Sequence, residues 1–195
     1  MRSLCKIAVL GGGSFGTALA NMIAENGYNV VLWMRSHESV LECSSSHENI
    51  KYLPGLSLDP KLVFSSSLEA SLKDADVVFF SVPSKAFRLL AREANKYINS
   101  DARVISTAKG IEAGTFKLMS QVLEEELPQA RVGVISGPNL AMEIATKQIT
   151  ATVVASTDPQ VSSDIQELLG SYYFRVYANT DRFGVELAGA LKNIY

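Results

Sequence analysis

Apolar residues in this chain come in short, nearly unbroken runs. Runs rich in valine, isoleucine and phenylalanine lie at 7–10, 30–33, 77–81, 104–106, 132–135 and 152–155. Such runs predict strands buried on both faces, the habit of a parallel sheet. Between them the period changes. Phe15, Leu19, Met22 and Ile23 recur at helical spacing on one face, and Gly27 suits the end of that helix. Residues 26–29 then make a tight return to the second strand. Strand and helix patterns alternate throughout, with no internal repeat or low-complexity tract. This predicts an α/β fold, a doubly wound and mostly parallel sheet of the Rossmann type. Of the two serine-rich patches, 44–46 is expected to end a short helix and 65–67 to cap the next one.

Composition narrows the class. The 195 residues are 47% hydrophobic, enough for a sizeable core, and the formal net charge is −2. A charge so near zero gives no field for nucleic acid or a membrane surface. No stretch approaches the roughly 18 apolar residues of a membrane span. The N-terminus carries no signal-peptide cleavage pattern. Cys5 and Cys43 have neither metal-binding nor redox spacing, so reduced thiols are expected. These features predict a cytoplasmic protein without a nucleic-acid partner, a metal or stable membrane insertion.

Gly11, Gly13 and Gly16 form G-x-G-x-x-G between the first strand and the first helix. That setting turns a weak pattern into a dinucleotide-binding signal. The first glycine permits a tight turn, the second lets pyrophosphate approach the backbone, and the third lets helix and strand pack closely. Free N–H groups at the helix start then face the anion. A glycine-rich turn without ligand is the plainer alternative.

Arg35 stands at the end of the second strand, about 20 residues past the loop, where an acid would bind the ribose hydroxyls of NAD. An arginine there can pair with a 2′-phosphate as a planar cationic fork, and Ser36 can add a hydrogen bond. NADP is therefore expected to be accepted alongside NAD. The alternative is a solvated arginine at a strand end.

Ligands of open α/β sheets bind outside the carboxyl ends of the strands. Three clusters fall there: “SVPS” at 81–84, “STAKGIE” at 106–112 and “SGPN” at 136–139. Each has the makings of an ordinary turn, but their common edge argues for one site. Lys109, just past a buried strand, can reach into the crevice. The last segment, “RFGVELAGALKNIY”, carries an apolar stripe of Phe183, Leu187, Leu191 and Ile194. Val185, Ala188, Gly189 and Lys192 share a neighbouring face. Small residues beside one amine suit a ligand, and equally suit close helix packing with a lysine that snorkels to solvent.

The order and spacing of “GGGSFGTALA”, “VVLWMR”, “HENIKYLPG”, “VPS”, “KGIE”, “SGPNLAMEIA” and “RVYANTDRFGVELAGALKN” resemble the NAD(P)-dependent glycerol-3-phosphate dehydrogenase family, its bacterial form above all. The resemblance covers essentially the entire chain. It implies reversible reduction of dihydroxyacetone phosphate to sn-glycerol 3-phosphate, a phospholipid precursor. It makes Lys192 the catalytic lysine with Asn193 beside it, and gives Lys109 contacts to both cofactor and substrate. Gly137 and Asn139 would hold substrate. Ser14, Phe15, Arg35 and Ala141 would hold cofactor together with the glycine loop. At 139 bacterial members commonly carry serine, so asparagine is a departure shared with the eukaryotic branch.

The same resemblance divides the chain into a cofactor domain over 1–179 and the opening of a helical substrate domain over 180–195. On that reading the 195 residues are a fragment that binds cofactor without full activity, and a homodimer is compatible with the longer protein. A hydroxyacyl or 2-ketoacid dehydrogenase of the same plan is one competing reading. A redox-sensing module without catalysis is the other.

Overall fold

The computed structural model describes residues 6–192, and the elements named here lie within them. The first half runs β1 (Lys6–Leu10), α1 (Ser14–Glu25), β2 (Asn29–Trp33), α2 (His37–Ser46), β3 (Glu48–Asn49), β4 (Leu53–Ser57), β5 (Val63–Ser65), α3 (Leu68–Leu72), β6 (Val77–Phe80) and α4 (Ser84–Ala94). The second runs β7 (Arg103–Ser106), α5 (Met119–Glu126), β8 (Arg131–Ser136), α6 (Ala141–Ala145), β9 (Thr150–Ala155), α7 (Pro159–Leu169), β10 (Phe174–Asn179) and α8 (Arg182–Leu191). Eight strands form one sheet in the order β10-β9-β8-β7-β6-β1-β2-β5. The order reverses between β1 and β6, which pair in parallel from Ile7 with Val77 to Leu10 with Phe80. Ligand crevices of doubly wound sheets open at such a switch point.

The unbroken apolar runs serve two cores at once. Ile7, Val9, Phe79 and Ile105 face the layer that includes α1 and α7, while Ala8, Leu10, Phe80 and Val104 face α4 and α5. Successive strand residues point to opposite faces, so both sets must be apolar. The turn after α1 is the one expected: Gly27 has φ +91°. Ser36 and Ser67 cap α2 and α3, accepting from Ser39 N and Ala70 N. Cys43 is a buried free thiol whose pKa is raised by burial first and by Glu42 second, and Cys5 lies outside the described residues.

Four features depart from the sequence reading or lie outside it. β9 pairs antiparallel with β8, because the link from Ser136 to Thr150 holds only a five-residue helix and turns back at the same end. A parallel return needs a crossover along the whole sheet. β10, parallel to β9, alternates buried and exposed residues as a half-covered edge does, and so lacks a continuous apolar run. The short β5 edge and the β3–β4 hairpin likewise leave no such run. On α8 the apolar stripe faces outward, with Phe183 and Leu191 exposed and Leu187 half-buried; the residues turned inward are Glu186 and Gly189. Ile194 lies outside the described residues.

The glycine loop depends on backbone contact. A Cβ at Gly16 would stand 2.0 Å from the Gly11 carbonyl oxygen, and one at Gly11, where φ is +124°, would stand 2.4 Å from Ser81 O. Both neighbours are backbone atoms and cannot swing away. Gly16→Ala is therefore expected to destabilise the fold by about 3 kcal/mol, the upper end for overpacking. Thermal or urea denaturation checks this, and an unchanged midpoint would count against the contact.

Candidate active site

The carboxyl ends of β1, β6, β7 and β8 line one edge of the sheet and bring the three clusters together. Ser81 N donates to Leu10 O at 2.8 Å, and Gly11 N to Trp33 O at 3.0 Å. The Ser81 and Thr107 hydroxyls are 2.9 Å apart, joining the ends of β6 and β7. A Cβ on Gly110 would meet Ser84, so the 107–110 turn lies directly against the start of α4.

Above β1 the loop is built for a ligand's close approach. Gly13 is the N-cap of α1 and offers no side-chain cap, and no acid stands in the first turn. The first helical bond of α1 runs from Thr17 N to Gly13 O. The N–H groups of Ser14, Phe15 and Gly16 precede that bond and have no partner inside the helix. A Cβ on Gly13 would meet nothing within 4 Å. Ser14 Oγ donates to Tyr52 O at 2.6 Å, which ties the loop to the β3–β4 turn. Phe15 is half-buried against the core, and Ala141, the first residue of α6, packs on the same cluster. Arg35 is exposed beyond β2, beside Ser36, whose Oγ is occupied as acceptor by the Ser39 N–H. Its hydroxyl hydrogen remains available as a donor.

Lys109 is half-buried and donates from Nζ to Gly137 O at 2.9 Å. Burial first, and the charge of Lys192 second, hold its pKa below the ordinary lysine value. Two ammonium groups near one another favour loss of a proton from the more desolvated one. Lys192 is exposed at the C-cap of α8, and Asn193 lies outside the described residues. Gly189 seats α8 on the end of β8, where an added Cβ would stand 2.2 Å from Ser136 Oγ. The small residue thus answers to helix packing. Gly137 is likewise hemmed in by Asn139, Thr152 and Ala151. Asn139 is buried, and both its amide hydrogens are directed at β9, to Thr150 Oγ1 at 3.0 Å and Ala151 O at 2.6 Å. Its Oδ1 alone is left for another partner.

Three residues not singled out in the sequence hold this edge in place. Asn49, buried on β3, donates to Gly12 O and Thr17 Oγ1. Arg88 on α4 makes a bidentate pair with Glu112 of “KGIE”, with both contacts at 2.7 Å, and reaches Glu126 on α5 as well. Glu186 on α8 accepts from Ser120 N at 3.0 Å and Ser120 Oγ at 2.5 Å. Burial raises the pKa of Glu186, while the hydrogen bonds from Ser120 oppose the rise. A helical pattern gives no hint of such pairs, since each joins segments distant in the chain. The motif “HENIKYLPG” was the one visible signal, and it marks Asn49.

Comparison with known proteins places the chain among dehydrogenases. The family model described as NAD-dependent glycerol-3-phosphate dehydrogenase N-terminus matches residues 6–162. The NAD(P)+ glycerol-3-phosphate dehydrogenase of Teredinibacter turnerae is 53% identical over 195 residues, 100% of this chain and 57% of that protein. That of Ectopseudomonas mendocina is 52% identical over the same shares. The crystal structure of glycerol-3-phosphate dehydrogenase from Coxiella burnetii superposes with a TM-score of 0.93 at 39% identity, covering 97% of this chain and 58% of that one. The chain therefore spans a little over half the length of these relatives.

Glu112 generates a pH prediction. Arg88 first, and the Thr115 hydroxyl second, pull its pKa down to about 2 from an ordinary value of 4.5. A depressed carboxylate pKa stabilises the fold above pH 4.5, and the contribution fades as pH falls toward 2. Glu112→Gln is expected to cost about 1.5 kcal/mol at pH 7, the low end for bonds to a charged group because Arg88 keeps Glu126. The gap from the unaltered chain should close between pH 4.5 and 2. Urea titrations across that range measure it, and a gap independent of pH would rule the ion pair out as the cause.

Proposed function

Because the chain belongs to the family described as NAD-dependent glycerol-3-phosphate dehydrogenase N-terminus, we propose that it is the cofactor-binding part of an oxidoreductase that interconverts dihydroxyacetone phosphate and sn-glycerol 3-phosphate with NAD or NADP, supplying glycerophospholipid synthesis. The observation that carries the reading is the meeting, at one sheet edge, of an open glycine cradle with a half-buried lysine whose proton affinity is lowered first by burial and then by a second lysine. The backbone amides at the start of α1 suit a pyrophosphate. Gly11, Gly13 and Gly16 keep side chains out of its way, with Ser14, Phe15 and Ala141 around it. Arg35 and Ser36 take the adenosine end, where a 2′-phosphate would pair with the guanidinium.

When bound, the nicotinamide supplies the hydride. Lys192 as ammonium stabilises the charge growing on the C2 oxygen and gives it a proton; as neutral amine it takes that proton back in the reverse direction. Lys109, with Asn193 beside Lys192, steadies the substrate and attracts its phosphate. Gly137 offers backbone to the substrate, and Asn139 serves by holding that loop to β9 and through its free oxygen. Residues 180–195 open the substrate domain, after a cofactor domain over 1–179. The 195 residues alone are expected to bind cofactor and turn over poorly. The same reading puts the enzyme in the cytoplasm and is compatible with a homodimer of a longer chain.

Calorimetry with NADPH and NADH tests the binding half of the reading, and no heat with either would refute it. Arg35→Asp should shift preference from NADP toward NAD by at least ~2 kcal/mol in relative affinity, because a charge-assisted pair is replaced by repulsion. An unchanged ratio of the two dissociation constants would mean that Arg35 serves solvent only.

In a chain of the relatives' length, Lys192→Ala should cost roughly 10²–10⁴-fold in rate with cofactor affinity nearly intact. Lys192→Arg should rescue little, since guanidinium cannot give up its proton near neutral pH. Steady-state rates with parallel NADPH affinities decide this. Activity within a few-fold for both variants would return Lys192 to the role of a snorkelling helix residue.

A further inference from the structure

Asn49 is 3% exposed on the two-residue strand β3, and every polar atom of its side chain is engaged. Nδ2 donates to Gly12 O at 3.0 Å and to Thr17 Oγ1 at 2.8 Å. Oδ1 accepts from Tyr52 N at 3.3 Å. Its two donor bonds span the turn, one on the middle glycine of “GGG” and one on the first full turn of α1. The bond to Gly12 O has a geometric consequence. In a trans peptide the C=O and the following N–H point in opposite directions, and among the described residues no peptide bond is cis. Drawing the Gly12 carbonyl toward the hairpin therefore drives the Gly13 N–H away from it.

The Gly12–Gly13 peptide is packed on its Gly12 side by the flexible side chain of Met34 and is open on its Gly13 side. Glycine on both sides removes the Cβ clashes that limit rotation elsewhere. Nothing lies within 4 Å of where a Gly13 side chain would begin. Left free, this peptide would flip between two orientations, only one of which presents the N–H to an anion at the helix start.

We infer that Asn49 is a positioning residue for the cofactor: by holding the Gly12 carbonyl it fixes the Gly13 N–H in the orientation that donates to the pyrophosphate. The inference rests on the cofactor reading given above. It adds a residue that touches no part of the dinucleotide and sets the fraction of the protein that is ready to bind. A ligand that needs a fractionally populated orientation binds more weakly by that fraction.

Asn49→Leu keeps the volume and removes all three bonds. NADPH affinity is expected to fall about ten-fold or more, the scale of one hydrogen bond to a charged acceptor. The affinity for 2′-AMP, which carries the Arg35-facing phosphate but no pyrophosphate, should stay within two-fold. A merely structural role would lower both together, and parallel loss overturns the inference, as does an unchanged NADPH affinity. A second measurement needs no variant. In the 15N–1H spectrum of the unaltered chain, NADPH should shift the Gly13 amide more than any other amide of the loop. NADPH that binds without moving that resonance overturns the role of Asn49 alone; NADPH that fails to bind overturns the cofactor reading beneath it.

Discussion

The start of α1 lies on the ends of β1 and β6 with no side chain between them, and the rest of the edge is arranged around that contact. An added Cβ at Gly16 would sit 2.0 Å from the Gly11 carbonyl, which leaves hydrogen as the one substituent that fits. The approach brings the unspent N–H groups of the helix to the switch point of the sheet, where β1 and β6 part company in the strand order. Helix dipole, open amides and a side-chain-free surface then coincide at one place. The edge is opened to an anion by steric exclusion before any charged residue is counted.

Much of this was legible in the sequence, because the signals were local. Continuous apolar runs bounded by turn residues predicted parallel strands, and six of them are strands. The glycine spacing and Arg35 lie where the motif puts them, since a strand, a turn and a helix of fixed length follow from adjacent residues. Edge elements escaped for the opposite reason. β10 needs only alternate residues buried, and β5 and the β3–β4 hairpin are two to five residues long. Periodicity in such pieces is too brief to register. The apolar stripe of α8 was a true pattern that left its direction open, and the helix buries Glu186 and Gly189 instead. A buried carboxylate is paired only by a partner elsewhere, here the Ser120 N–H and hydroxyl at the start of α5.

The electrostatics of the edge divide into two regimes. Around Glu112 the charges are paired bidentately and at short range, so the carboxylate stays ionised far into acid. Around Lys109 the charge is desolvated, meets one backbone carbonyl and feels a like charge. The first arrangement anchors a loop; the second lowers the proton affinity of the residue that the loop carries. Four residues of chain hold both, which is why “KGIE” reads as one motif although its two ends do different work.

α5 lies between these regimes and has a mechanical meaning. Through Arg88 its Glu126 is tied to the loop of Lys109, and through Ser120 its first turn is tied to the helix that ends at Lys192. The two amines thus hang from opposite ends of one eight-residue strut. A change in the seat of that one helix would therefore reach both lysine-bearing segments at once.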